Sequence, residues 1–238
     1  MYQSIAPLKQ GEDYALFETL EYASLGNALV VPVASIEANA LAHHYPIVWR
    51  RVGDDYELVA FISLSVPHLE SFRRELESGM PRPLLVEAYP LALAFPDSED
   101  GRSVVMIDEV PRPADALASP VFLRGGALSA PASRRMGALR VFGSDIGRTR
   151  AFTRTLAAAG LLADWPLRLR IGGDGVEIDG LCVLVQEEAQ RAALPAAIAE
   201  YGFALAEFVT LHDLSLFNMQ RLVDRFRAER VAAGGAAS

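Results

Sequence analysis

Two adjacent carboxylates, Asp108 and Glu109, are the strongest acid–base candidates in this 238-residue chain. They close the β-rich run Val104-Val105-Met106-Ile107, shortly before Pro111. Acids at a strand end can sit in a cleft, and a desolvated one can act as a general base. A solvated strand end accounts for the same pair. Glu187-Glu188 follows Val185 at an expected helix start, where carboxylates complement the helix dipole. Gly143-Ser144-Asp145-Ile146-Gly147 lacks the spacing of a nucleophile elbow, so Ser144 or Asp145 reads as a helix cap.

Other chemistries find little to work with. The histidines are His43, His44, His68 and His212. Adjacent His43 and His44 point to different faces of any regular element, and neither HxH nor HExxH occurs, so no metal site is expected. Cys182 is the sole cysteine and lies in Leu181-Cys182-Val183-Leu184, where a small buried hydrophobe fits best. Lys9 is the sole lysine, which leaves Schiff-base or P-loop chemistry only a residue in an N-terminal arm. Gly172-Gly173-Asp174-Gly175 separates two strand-like runs, so it offers no helix N-terminus to a phosphate. No cofactor is expected. A ligand site has one candidate set. Tyr45, Trp49, Arg50 and Tyr89 lie in the strand-rich half and could hold a small acidic ligand. Aromatic residues in β runs also serve simply as core.

The chain is 51 % apolar and 22 % charged, a globular balance. Its net charge of −8 argues against a nucleic-acid surface. No apolar run approaches the ~20 residues of a spanning helix, and residues 1–11 lack the apolar core of a secretory signal. A cytoplasmic location is the expectation.

The elements that must position these residues follow from periodicity. Residues 1–27 read as an N-terminal arm and 28–230 as the main domain. A subdomain junction is possible in the Pro-, Ala-, Gly- and Ser-rich stretch 111–133, and 231–238 reads as a disordered tail. Tyr45-Pro46-Ile47-Val48-Trp49-Arg50-Arg51-Val52, the turn Gly53-Asp54-Asp55 and residues 56–64 predict a hairpin. Pairing Val52 with Tyr56 would set Arg51 opposite Glu57. Residues 67–79 carry charge at helical spacing, and 83–95 and 104–107 read as strands. Residues 144–163 form the strongest helix, with Thr149, Phe152, Leu156, Ala159 and Ala163 on one stripe. Residues 165–171 and 176–185 predict a second hairpin; pairing Ile171 with Val176 would set Arg170 opposite Glu177 and Arg168 opposite Asp179. A helix over 187–201, an ambiguous apolar segment over 204–211, and a terminal helix capped by Asp213 or Ser215 complete the chain. The expected class is α+β: an antiparallel sheet built from hairpins, with helices packed on it and bunched in the C-terminal half.

Several short motifs recur in a familiar order. They are Tyr45-Pro46-Ile47-Val48, Tyr89-Pro90-Leu91-Ala92 and Met106-Ile107-Asp108-Glu109. Arg148-Thr149-Arg150-Ala151-Phe152 and Gly160-Leu161-Leu162-Ala163-Asp164-Trp165-Pro166-Leu167 follow, then Gly180-Leu181, Glu187-Glu188 and Ser215-Leu216-Phe217-Asn218-Met219-Gln220-Arg221-Leu222. The series, over residues 28 to 225, resembles the bacterial SapC-like family, named from surface-layer gene clusters. It departs from the family pattern at Cys182, where an aromatic is usual, and over 201–213. The resemblance implies a role in a nutrient-uptake or modification system, beside oxygenase- or halogenase-like enzymes. It carries over no catalytic residue. Three functions are therefore expected candidates. The first is a non-enzymatic binding or accessory protein, taking a small ligand or a partner enzyme, with a homo-oligomer as a candidate assembly. The second is an enzyme acting on a peptide or sugar through Asp108 and Glu109. The third is a surface-layer component.

Overall fold

A computed structural model describes residues 1–18, 22–66, 69–94, 103–109, 117–171, 174–188 and 190–235. In chain order its strands are β1 (Ile5–Pro7), β2 (Ala15–Leu16), β3 (Val30–Pro32), β4 (Ile47–Val52), β5 (Asp55–Phe61) and β6 (Leu91–Ala94). They continue with β7 (Val104–Asp108), β8 (Ser119–Pro120), β9 (Leu162–Asp164), β10 (Leu167–Ile171), β11 (Asp174–Ile178) and β12 (Leu181–Leu184). The α-helices are α1 (Ala38–Leu41), α2 (Leu69–Glu77), α3 (Leu84–Ala88), α4 (Ala130–Ala158), α5 (Leu194–Tyr201), α6 (Phe203–Ser215) and α7 (Met219–Gly235). The fold is α+β with antiparallel pairing, and its longer helices lie in the C-terminal half.

The centre is a five-stranded sheet in the order β3-β5-β4-β12-β9. Side chains alternate across a strand, and here both faces are apolar. Ile47, Trp49, Leu58, Ala60, Cys182 and Leu184 join one buried cluster. Their sequence neighbours Val48, Val59, Phe61, Leu181 and Val183 join another. The first face supports α4, α5, α6 and the smaller sheet β1-β7-β6. The second is covered by the β10-β11 hairpin, through Leu167 and Ile171, and by α7, through Leu222 and Phe226.

Both hairpins form, in registers that differ from the expected ones. Between β4 and β5 the turn has two residues, Gly53 and Asp54. Gly53 takes the left-handed φ of 61° that such a turn requires at its first position. Val52 therefore faces Asp55, and Arg50, not Arg51, faces Glu57. Arg50 makes the cross-strand ion pair with Glu57, while Arg51 reaches Asp164 on β9 at 2.6 Å. In the second hairpin Ile171 faces Asp174, so Arg168 faces Glu177 and Arg170 faces Gly175. Arg168 bonds both Glu177 at 2.6 Å and Asp179 at 2.7 Å. Gly172 and Gly173 lie outside the described residues.

Three helices also differ. Residues 84–88 are helical, and only 91–94 form a strand. The long helix α4 starts at Ala130, inside the stretch expected to be a loop. Ser129 caps it by accepting the Ala132 N–H at 3.3 Å, and Pro131 fits its first turn. Ser144 and Asp145 are thus mid-helix and not caps, and α4 ends before Ala159 and Ala163. Gly143 lets α4 lie close on β6, since a Cβ there would come within 2.8 Å of Leu93 Cδ1. The terminal helix begins at Met219, not at a cap on Asp213 or Ser215, and runs on to Gly235.

The N-terminal arm is seated on this body. β1 pairs with β7, β2 pairs with β8, and Leu16, Phe17, Tyr22 and Leu25 enter the main core.

Candidate functional site

Asp108 ends β7 and is 2 % exposed. Its carboxylate accepts N–H bonds from Gln3 at 3.1 Å and Ser4 at 2.7 Å, and an O–H bond from Tyr89 at 2.7 Å. Tyr89 spends its only proton there, so the Ser24 hydroxyl donates to the Tyr89 oxygen across 2.6 Å. Tyr2 and Tyr22 pack on the Tyr89 ring, at centroid distances of 5.4 and 4.9 Å. Burial is the main reason that the Tyr89 phenol is held far above its ordinary range. Arg135 of α4 closes the back of this cluster with bonds to the Tyr89 and Phe17 carbonyls. Asp108 and Tyr89, chosen separately from the sequence, thus meet in one buried anchor for the first four residues. Glu109 is exposed, and its N–H donates to the Ser4 carbonyl at 2.8 Å.

The other ligand candidates do not join them. Tyr45 is 1 % exposed and donates to the Pro81 carbonyl at 3.1 Å. Trp49 is fully buried on β4, and its indole N–H donates to Thr153 at 3.0 Å. Arg50 is partly exposed and held by Glu57.

His212 lies under Trp49, 4.8 Å between ring centroids. One ring nitrogen, Nδ1, is 2.8 Å from the Ile47 carbonyl, and Nε2 accepts the Leu184 N–H at 3.2 Å. That pairing requires the neutral ring with its proton on Nδ1. Burial pushes its pKa down to about 4, against the bond to Ile47. Cys182 is fully buried, and burial raises its thiol pKa with help from nearby Asp164. Among the described residues no group of three His, Cys, Asp or Glu side chains comes together to hold a metal ion; His68 lies outside them.

A second polar cluster borders an opening. Asp145, Thr149 and Thr153 are spaced four apart on α4 and buried against the body. Asp145 accepts bonds from the Ser35 hydroxyl at 2.7 Å, the Ile36 N–H at 2.9 Å and Thr149 at 3.1 Å, and it pairs with Arg148. Burial alone would raise the Asp145 pKa, but these donors outweigh it and hold the carboxyl below its ordinary value. Next to it, between α1, α4 and α6, is a cleft of about 260 Å³. Phe152, Phe208 and Leu211 give it an apolar floor. Ser35, Ile36, Asn39, Arg148, Ala204 and Glu207 form the rest of its lining.

None of the cleft residues was a site candidate in the sequence. One signal was available: Glu207 is the only charge between Phe203 and Leu211. An acid inside such an apolar run needs either a partner or solvent.

The fold and the cleft together define an α+β protein with a small mixed polar and apolar cleft beside a hydrogen-bonded interior acid. Residues 12–222 match the SapC family, nearly the whole chain, and the chain belongs to that family. No curated protein and no solved structure matches it. No helix among the described residues is long and apolar enough to cross a membrane.

Proposed function

We propose that this SapC-family chain is a non-enzymatic binding or accessory protein, taking a small ligand in the cleft between α1, α4 and α6. The observation that carries this reading is a contrast. The cleft offers an apolar floor with an exposed carboxylate and amide, Glu207 and Asn39, on its lining. The buried groups best suited to acid–base chemistry are spent on the protein's own backbone. Asp108 holds Gln3 and Ser4, His212 holds Ile47 and Leu184, and Glu37 holds Ala34 and Leu84. The cleft is smaller and more polar than a typical small-molecule pocket, which suits a small ligand with a polar head. The family resemblance supports a partner of the oxygenase or halogenase type in a bacterial uptake or modification system.

Native mass spectrometry of protein purified gently from its own host tests this. A bound small molecule is expected, and Ala204→Trp, which fills the cleft from α6, should lose it. A wild-type chain that carries no adduct, and whose melting temperature no candidate ligand raises, overturns the reading. Asp108→Asn separates it from acid–base catalysis at the strand end. The variant is expected to lose roughly 1–3 kcal/mol of stability through imperfect backbone bonding, while host function persists wherever the protein stays folded. Lost function at unchanged stability would return Asp108 to a catalytic role.

A further inference from the structure

Within that reading of the cleft as a binding site, we infer that its ligand is an organic cation, a primary ammonium carried on an apolar stem. The argument is a charge balance over the lining. Its charged side chains are Arg148 and Glu207. The Arg148 guanidinium is already engaged twice. It pairs with the buried Asp145 carboxylate one turn earlier on α4, and it lies over the Phe152 ring, 5.9 Å from its centroid. Arg148 and Asp145 therefore cancel.

Glu207 has no such partner. The residues at helical spacing from it on α6 are Phe203, Ala204, Thr210 and Leu211, none of them basic. The Thr210 hydroxyl bonds the Ala206 carbonyl instead. Among the described residues Glu207 makes no ion pair; with the buried Asp145 behind the lining counted against Arg148, the three charges sum to one net negative. Asn39, also exposed on α1, adds a neutral amide whose oxygen can accept a second N–H. The floor then sets the rest of the ligand. Phe152 and Phe208 are almost fully buried, so only part of each ring meets the cleft; Leu211 completes an apolar bed for a stem. The whole-chain charge of −8 draws cations from solution and repels small acids. A monoamine with one ring or a short branched chain matches the cleft volume better than a nucleotide or an oligosaccharide.

Three probes of one shape test the assignment on the full chain by ligand-observed NMR and melting temperature: 2-phenylethylammonium, 2-phenylethanol and 3-phenylpropionate. The ammonium should bind saturably, and the alcohol and the acid more weakly by roughly tenfold or more. Glu207→Gln should remove that preference with the melting temperature kept, and added salt should weaken only the ammonium. Ala204→Trp should abolish binding of all three. If the alcohol or the acid binds as well as the ammonium, or if the preference survives Glu207→Gln, the cation assignment is overturned while the cleft stands as a site. If no probe binds the wild-type chain, or binding survives Ala204→Trp, the cleft reading falls with it.

Discussion

Two buried ionisable residues should give this protein opposing pH dependences. His212 must stay neutral, because a second ring proton would point at the Leu184 N–H. Its pKa lies at about 4, below the ordinary 6.5, with burial as the main cause. The stability it contributes is complete above pH 6.5 and is lost as pH falls through 4. Glu37 behaves in the opposite sense. It accepts N–H bonds from Ala34 at 2.7 Å and Leu84 at 2.6 Å, yet burial raises its pKa to about 7 from 4.5. Its contribution is complete below pH 4.5 and is lost as pH rises through 7. Each shift is on the order of 3 kcal/mol, so the two largely mask one another in the wild type. Urea unfolding of wild type and Glu37→Gln between pH 4.5 and 7 separates them. The stability difference between the two chains should move by roughly 3 kcal/mol across that window, in favour of the variant at high pH. A difference that stays flat with pH would show that Glu37 titrates normally.

At the level of elements, the β4-β5 hairpin was legible because β formers flank a Gly-Asp turn. Its register was not, because Arg50 and Arg51 are adjacent and both find acids. Sequence alone cannot see that Arg51 belongs to Asp164, which is 113 positions away in the chain. A double-mutant cycle reads the register directly. Arg50 and Glu57 should show a coupling of about 0.2–1 kcal/mol, as exposed cross-strand pairs do. Arg51 and Glu57 should show almost none. The reverse result would restore the one-residue shift. The long helix was missed for a different reason. Pro131, Gly137 and Gly143 look like breakers, but proline in the first turn is a start signal, and Gly143 is where α4 lies against Leu93. Residues 84–88 were misread because a short apolar run has no period that separates strand from helix. The cleft escaped notice on similar grounds. Its residues come from a 3-10 turn (Ser35–Glu37) and three α-helices, and no local pattern marks Ser35, Arg148 and Glu207 as neighbours.

For the molecule as a whole, the decisive feature is a central sheet with apolar side chains on both faces. Such strands read as continuous hydrophobic runs, which is why residues 47–49, 58–62 and 181–185 stood out without clear alternation. It also means that neither face tolerates water, and each needs its cover. The second face has a thin one: the β10-β11 hairpin and α7. The family match ends at residue 222, but Phe226 is 6 % exposed and packs in the same cluster as Val48, Val59 and Phe61. The last helix should therefore be part of the folding unit and not an appendage. Phe226→Ala should cost about 3–5 kcal/mol, the range for emptying a buried aromatic site. Arg227→Ala, one position on, removes only an exposed pair with Asp224 and should cost less than about 1 kcal/mol. Deleting residues 223–238 should expose the sheet face and yield protein that aggregates or melts without cooperativity. If the truncated chain unfolds as cooperatively as the full one, and Phe226→Ala matches Arg227→Ala, then α7 does not seal the sheet and the second core is closed by the hairpin alone.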